Sequence, residues 1–363
     1  MNLKKFKIPK WIWITVLILV VVRLLVAPVA LWSMNWALAK KLDDYTGQVS
    51  ALNLSLHKGN YHLSGIEIKK KDSILPPILK IDDVKISLAM TDLFGGKING
   101  DLVIQKAVVQ VVASEMKEKK DDKKKEKKWQ EALKVFIPIE IKSFKIEDSA
   151  LYFSASNLKK SQKLQLEKIN LTAANIQSRS ELYQDSLSTL KASAVLQGHA
   201  AVGINGKIDI LAKPSRFDID VSVVDFKPKD VNQLLMRYVP LDLTKGQMSI
   251  YAEVAASHDQ MVGYTKVFLK DVDVIASNQY IKSGKHVSVE LGSAFANWIL
   301  KNNEEELTAA QIPFKRQGGK FDVDASEAFW SALKNKTKEL KKGFDNSINL
   351  KDVEKEKKSI SQR

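Results

Sequence analysis

Two hydrophobic patterns follow each other along the chain, and they predict two kinds of structure. From Trp11 to Leu31 the residues are almost all apolar, with Arg23 as the one charge and Pro28 as the one helix breaker. About 20 residues of α-helix span the ~30 Å hydrocarbon core of a bilayer. From Leu52 onward apolar and polar residues alternate, which is typical of β-strands with one apolar face. We therefore expect a membrane-spanning helix followed by a β-rich region.

The flanks of the apolar segment indicate an anchor with a cytoplasmic N-terminus. Four lysines precede it, and the positive-inside rule places such a basic flank in the cytoplasm. Cleavage after Ala37-Leu-Ala39 would make the segment a signal peptide, but signal peptides are usually only ~15–30 residues long. We therefore favour an uncleaved anchor. Indole rings prefer the two membrane interfaces, and tryptophans occur at both ends of the segment: Trp11, Trp13, Trp32 and Trp36.

Arg23 has two interpretations. Ionisable groups inside a membrane span are commonly functional. Alternatively, the span is short or tilted and the long side chain reaches the interface. A lone arginine on a single span has no evident partner, so we favour the second interpretation.

The alternating pattern continues in blocks that define the domain organisation. The first β segment, residues 32–115, contains a hairpin around Lys58-Gly59-Asn60, with Gly65 as a β-bulge position. The second, residues 137–325, contains the most regular strand, Phe217–Phe226. Short helices are expected within residues 32–50, 229–238 and 292–307. The other segments are the N-terminus (1–10), the anchor (11–31), a charged insert or linker (116–136), a C-terminal amphipathic helix (326–343) and a polar tail expected to be disordered (344–363).

Charge and composition exclude several functional classes. The chain has 57 Lys and Arg against 42 Asp and Glu, and much of the excess lies in residues 117–128 and 334–358. A basic balance suits nucleic acid, an anionic membrane surface or solvated linkers. The chain has no nucleic-acid-binding motif, so we expect no nucleic-acid partner. It also has no cysteine, which excludes disulfides, thiolate metal sites and cysteine nucleophiles.

No sequence pattern points to catalysis, a metal or a cofactor. The five histidines form no HExxH pair, and no nucleophile elbow, Walker loop or dinucleotide fingerprint is present. Asp218 and Asp220 are two residues apart and therefore share the polar face of a strand, where solvated charge is the simpler explanation. We expect a protein that is not an enzyme, with no catalytic residue, no metal site and no cofactor.

Successive strands with short connections predict a mainly β fold with minor α, in an elongated, sequential, mostly antiparallel sheet. Each strand has one apolar face, which must be covered. One sheet curled into a groove would offer that face to a ligand, whereas two sheets stacked as a β-sandwich would bury it in a core. Periodicity does not distinguish these arrangements. In a groove, the residues expected to bind lipid are Ile204, Ile208, Ile210, Phe217, Ile219, Val221, Val223, Met248, Ile250, Val267 and Leu269.

The order of these segments resembles the AsmA-like superfamily of Gram-negative envelope proteins, in particular the AsmA-like family catalogued as a domain of unknown function. The similarity rests on the anchor followed by Leu52–Ile68, on residues 93–104 and 139–153, and on Phe217–Met248. In the last stretch a strand leads through a short helix and a Lys-Gly turn into the next strand. The individual motifs are loose, so the resemblance lies in their order over most of residues 10–340. Some relatives are several times longer.

The resemblance implies an inner-membrane-anchored periplasmic protein of outer-membrane biogenesis that binds or transfers phospholipid along an apolar β-groove. The expected location is the bacterial inner membrane, with one span, a cytoplasmic N-terminus and most of the chain in the periplasm. The expected partners are phospholipid, the inner membrane and other envelope proteins. The alternative is a non-enzymatic scaffold or assembly factor that binds envelope proteins through a sheet edge or its C-terminal helix.

Overall fold

One long helix and fifteen strands make up the part of the chain that the computed structural model describes. That part comprises residues 10–42, 44–55, 58–71, 76–89, 98–112, 139–154, 163–176, 187–209, 216–232, 241–243, 245–257, 260–271, 274–276, 309–317, 320–323, 340–351 and 353. The elements in chain order are α1 (Lys10–Lys40), β1 (Tyr45–Ser55), β2 (Asn60–Lys70), β3 (Leu79–Leu88), β4 (Ile98–Val112), β5 (Ile139–Ser154), β6 (Leu164–Ile176), β7 (Ser188–Leu196), β8 (Ala200–Asp209), β9 (Arg216–Phe226), a 3₁₀ helix (Pro228–Val231), β10 (Leu241–Leu243), β11 (Gln247–Ser257), β12 (Gln260–Lys270), β13 (Val274–Ala276), β14 (Ala309–Gln317) and β15 (Lys320–Val323).

Thirteen of these strands form one open sheet in chain order, and β10 pairs with β13 apart from it. The expected mainly β fold with a sequential, mostly antiparallel sheet is confirmed. The β-sandwich alternative is wrong for the described residues, because their strands form one continuous sheet with a small separate pair. The sequential order follows from short connections, which place each strand beside its predecessor.

One junction, between β4 and β5, is parallel, with Ile98 opposite Ile139 and Val112 opposite Ser154. Two parallel neighbours need a connection that returns along the strand, usually a dozen residues or more. The 26 residues between β4 and β5 (113–138) supply that length. The charged insert predicted from the sequence lies in this connection, outside the described residues.

A crease of left-handed backbone crosses the first half of the sheet. Gly65, Lys106, Asp148 and Lys168 have φ between 46° and 64°, and Lys106 and Asp148 lie side by side in the parallel pair. Gly65 keeps the register of its neighbours, because Val49 pairs with Ile66 and Ala51 with Ser64. The predicted β-bulge with an extra residue is therefore wrong there.

The helix α1 continues unbroken past the predicted anchor to Lys40, and β1 begins at Tyr45. The helix expected to continue from the anchor within residues 32–50 is confirmed as far as Lys40 and is wrong from Tyr45 onward, because ten residues of β1 pair with β2. The Asn35 side chain covers the free edge of β1: its Nδ2 donates to Val49 O at 3.0 Å, and its Oδ1 accepts from Val49 N at 2.6 Å.

The two ends of α1 have different surroundings. Near its C-terminal end, Leu31, Met34 and Leu38 pack on a buried cluster of β1–β4: Val49, Leu63, Ile81, Val84 and Ala107. Earlier in the helix, large apolar side chains are exposed, among them Trp11 and Leu24. No helix in the part of the chain that the structure describes combines the length and hydrophobicity that a membrane crossing needs.

The last two strands, β14 and β15, form a hairpin with Gln317 opposite Lys320. Two other sequence predictions concern residues at the border of the described part. The helix predicted at 229–238 begins as the 3₁₀ helix Pro228–Val231, and residues 233–240 lie outside the described part. The C-terminal helix predicted to reach residue 343 is wrong for residues 340–343, which are irregular, while residues 326–339 and 292–307 are outside the described part.

We predict that Gly65→Ala destabilises the sheet more than Gly198→Ala. Both glycines have positive φ, but a Cβ at Gly65 would lie 2.5 Å from Ser50 Oγ, whereas one at Gly198 would meet nothing within 4 Å. The shared backbone strain costs about 1–3 kcal/mol at each site, so any excess at Gly65 reports the contact. Chemical unfolding of the two full-length variants, followed by circular dichroism, measures both losses. Equal losses would contradict the proposed contact.

Candidate functional site

A row of twelve side chains, eleven of them apolar and each from a different strand, runs across the sheet at right angles to the strands. Each member lies directly opposite the next, so all share one face, which we call the apolar face. Adjacent strands are ~4.8 Å apart, so the row is about 50 Å long. Thr265 is its one polar member. This central row consists of Leu52, Leu63, Val84, Ile104, Ile146, Leu171, Ala192, Ile204, Val221, Ala252, Thr265 and Ile312.

A second row on the same face runs beside the central row. It also contains no charged residue, and Tyr61 is its one polar member. Its members, from β1 to β15, are Leu54, Tyr61, Ile86, Leu102, Phe144, Ala173, Leu190, Gly206, Ile219, Val254, Gly263, Phe314 and Val323. Two adjacent uncharged rows form a continuous apolar strip across the sheet.

The apolar face includes ten of the eleven predicted lipid-binding residues, and Ile210 lies outside the described part. Ile204 and Val221 belong to the central row and Ile219 to the second row. The others occupy flanking positions of the same face as directly opposed pairs: Ile208 with Phe217, Val223 with Ile250, Ile250 with Val267, and Met248 with Leu269.

Burial divides these candidates into two groups. Met248 and Val267 are only 5% and 4% exposed, so they belong to a packed core. The rest are half-buried: Ile204, Ile208, Phe217, Ile219, Val221, Val223, Ile250 and Leu269. The apolar face is thus accessible over β8 and β9 and filled at Met248 and Val267.

The face is also filled at both ends of the central row. At the first end α1 packs on the buried cluster that contains Leu63 and Val84. At the other end Ile312 is 2% exposed, and Phe314 lies over Gly263, where a Cβ would be 2.6 Å from the Phe314 ring. Between them, from Ile104 in β4 to Thr265 in β12, every member of the central row is half-buried.

Sequence reasoning missed the first half of this face. The candidates it chose come from β8 to β12, although the central row contributes equally from β1 to β7. The crease obscured the pattern, because it shifts the alternation of apolar residues: Leu63 and Ile66 lie on either side of Gly65, three residues apart, yet both pack in one apolar cluster.

The opposite face of β11 and β12, here called the polar face, is covered by residues 343–351 and Val353, together the C-terminal segment. The Glu253 side chain, 1% exposed, accepts hydrogen bonds from the backbone N–H groups of Asn346, Ser347 and Ile348 at 2.7, 2.8 and 3.1 Å, and from the Tyr264 hydroxyl. Tyr264 in turn accepts from Asp345 N at 2.8 Å. The described part of the tail that was predicted to be disordered is therefore docked on the sheet. Its backbone N–H groups need a hydrogen-bond acceptor, and the Glu253 carboxylate supplies one.

Lys266 adds a second charged contact to this docked segment. Its ammonium group donates to Asp345 Oδ1 at 2.5 Å and to Gly343 O at 3.3 Å. Apolar contacts flank the charges: Phe344 meets Tyr251 edge to face at 5.6 Å, and Val353 and Ile348 pack with Ala255 and Val262.

The pKa values of two carboxyl groups on the polar face, Glu253 and Asp220, are shifted in opposite directions. Burial raises the pKa of Glu253, but the hydrogen bonds from Tyr264 and the three backbone N–H groups outweigh it and leave the pKa below its ordinary value. Burial, and then the negative charge of Glu253 opposite, raise the pKa of Asp220.

A cluster of His62, Ser64 and Asp83 on β2 and β3 contains the residue types of a hydrolase triad. His62 Nε2 lies 2.6 Å from Asp83 Oδ1 and 3.4 Å from Ser64 Oγ, and Ser64 donates to Asp83 at 3.0 Å. One ring nitrogen thus faces both partners, whereas a triad uses the two nitrogens separately. The hydrogen bonds from His62 and Ser64 lower the pKa of Asp83. Within the described ranges, no group of His, Asp and Glu could hold a metal ion.

Comparison with known proteins gives no match, either to a protein-family model or to a curated protein.

We predict that the apolar face differs in accessibility along its length. The chain has no native cysteine, so single-cysteine variants report one position each. Ile204→Cys, on half-buried β8, should react with N-ethylmaleimide roughly tenfold faster than Val267→Cys, because thiol reactivity follows exposure. Ser222→Cys, half-buried on the opposite face of β9, is the matched control for exposure. Equal rates at Ile204 and Val267 would contradict the division of the face.

Proposed function

We propose that this protein handles lipid: it binds or transfers phospholipid by holding acyl chains on the apolar face. The observation that carries the proposal is the central row, in which eleven of twelve directly opposed residues are apolar and the middle members are half-buried. An apolar sheet face is stabilised when it is shielded from water, and uncharged hydrocarbon chains can provide that shield.

The energetics favour chain binding without headgroup specificity. Each CH₂ group removed from water contributes ~0.8 kcal/mol, so several buried methylenes suffice for stable binding. The two uncharged rows offer no ionic partner to a phosphate or an amine. The protein would therefore select its ligand by acyl chains, and we propose that the strip curls into a groove that surrounds them.

We further propose that α1 anchors the protein in a bacterial inner membrane, with a cytoplasmic N-terminus and the sheet in the periplasm. The apolar sequence of residues 11–31, its lysine flank and the exposed side chains of Trp11, Trp13, Trp32 and Trp36 support this. In this proposal the protein is not an enzyme and acts in outer-membrane biogenesis, with phospholipid and envelope proteins as partners. The resemblance to AsmA-like proteins supports the same function.

We predict that phospholipid cross-links to the apolar face of the full chain. The photoreactive residue p-benzoyl-phenylalanine at Val221 should capture phospholipid roughly tenfold more than at Ser222, because the apolar face alone gains free energy from buried methylenes. Mass spectrometry of the adducts, after expression of the full chain in a Gram-negative host, measures both yields. Lipid that binds only around α1 lies away from β9 and would be captured at neither position.

Equal capture at the two positions would contradict the apolar face as the binding site. A folded protein that captures no lipid at either position but cross-links envelope proteins would overturn the proposal in favour of a scaffold. Circular dichroism of each variant shows whether the sheet is intact.

A further inference from the structure

We propose that Glu253, Tyr264 and Lys266 form a peptide-recognition site on the polar face, that its ligand is the chain's own C-terminal segment, and that this segment is a latch that opens while the sheet stays folded. This inference does not depend on the proposed lipid-handling function, because it concerns the opposite face of the sheet.

The geometry at Glu253 is that of backbone recognition. Asn346 has φ of +52°, and this left-handed residue turns three successive N–H groups, those of residues 346, 347 and 348, toward one carboxylate. Successive N–H groups in such a turn form an anion-binding concavity. The site therefore recognises the backbone conformation of a peptide. The anion that the three N–H groups bind is the Glu253 carboxylate on the sheet.

Side-chain contacts on both sides of the carboxylate add selectivity. Before it, Lys266 binds the Asp345 carboxylate and Phe344 packs edge to face on Tyr251. After it, Ile348 and Val353 pack with Ala255 and Val262, and Val353 is 1% exposed. The ligand class is thus a peptide with an aromatic residue and an aspartate before the turn and aliphatic residues after it.

The segment is attached differently from the strands beneath it. Residues 340–349 form neither helix nor strand, and the six hydrogen bonds that join them to Glu253, Tyr264 and Lys266 use side chains of the sheet. Beneath them, β11 and β12 remain joined by eleven backbone pairs. Release of the segment breaks no strand pairing, so local opening requires less free energy than unfolding of the sheet.

Acid should open the latch. Tyr264 on β12 and Asp220 on β9 lie directly opposite Glu253. The next charged groups on this face are Lys266, which binds Asp345 of the segment, and Asp218 beside Asp220. Because the folded pKa of Glu253 lies below its ordinary value of 4.5, the carboxylate stabilises the latch above that pH. The stabilisation is lost as the pH falls through the lowered pKa. Asp220, with a raised pKa, is protonated at higher pH, which removes a repulsion and acts in the opposite direction.

Hydrogen–deuterium exchange on the full chain tests the latch. Glu253→Gln should accelerate exchange of the amides of residues 346–348 roughly tenfold, because an amide side chain replaces one acceptor oxygen with a donor. The amides that pair β11 with β12 should keep their wild-type rates. The matched control is Asp220→Asn, which neutralises a carboxyl on the same face that makes no hydrogen bond to the described residues of the segment. In this variant the segment should stay at least as protected as in the wild type.

A second variant keeps the test decisive if Glu253→Gln does not fold. Tyr264→Phe retains the ring but removes the hydroxyl that joins Glu253 to Asp345 N. It should accelerate exchange at residues 345–348 while β11 and β12 stay protected. Unchanged exchange of the segment in both variants would overturn the recognition site. Acceleration that spreads through β11 and β12 would overturn the latch and make the segment an integral part of the core.

Discussion

A continuous row of twelve side chains from twelve strands, eleven of them apolar, is the constraint on which the rest of this structure depends. A single open sheet cannot bury such a row against a second sheet, so its cover must come from other elements. At one end the cover is the last part of α1, where Leu31, Met34 and Leu38 pack on the first strands. At the other end the last residue of the row, Ile312, is nearly inaccessible to water. Between the ends the side chains stay half-buried, and this middle stretch is the lipid-binding surface that we propose.

Register is what keeps the row continuous. A slip of one residue in any strand would move its apolar side chains to the opposite face. The left-handed residues of the crease, among them Gly65, Lys106 and Asp148, change the alternation of several neighbouring strands at the same level. Because neighbours change together, their apolar residues remain opposite one another, and the row crosses the parallel junction of β4 and β5 without interruption.

The polar face contains buried polar and charged groups, and these need hydrogen-bonding partners. It carries Glu253, Tyr264 and Lys266, which are almost completely buried. A buried carboxylate and ammonium are costly unless each finds partners. The C-terminal segment supplies them, three N–H groups for Glu253 and a carboxylate for Lys266. The two faces of one sheet thus obtain their covers by different means, the apolar face by hydrophobic contacts and the polar face by specific hydrogen bonds.

The sequence by itself determined the long N-terminal helix, the β-rich remainder, the sequential order of its strands and the apolar face of β8–β12, because hydrophobic periodicity and connection length act locally. Tertiary structure alone decided the parallel junction, the single sheet in place of a sandwich and the row through β1–β7. These depend on which strands pair, and pairing is set by contacts distant in sequence. The docking of the tail could not be predicted from the sequence either. Asn346 and Ser347 are typical residues of a polar tail, and the fold alone brings Glu253, nearly a hundred residues earlier, beneath their N–H groups.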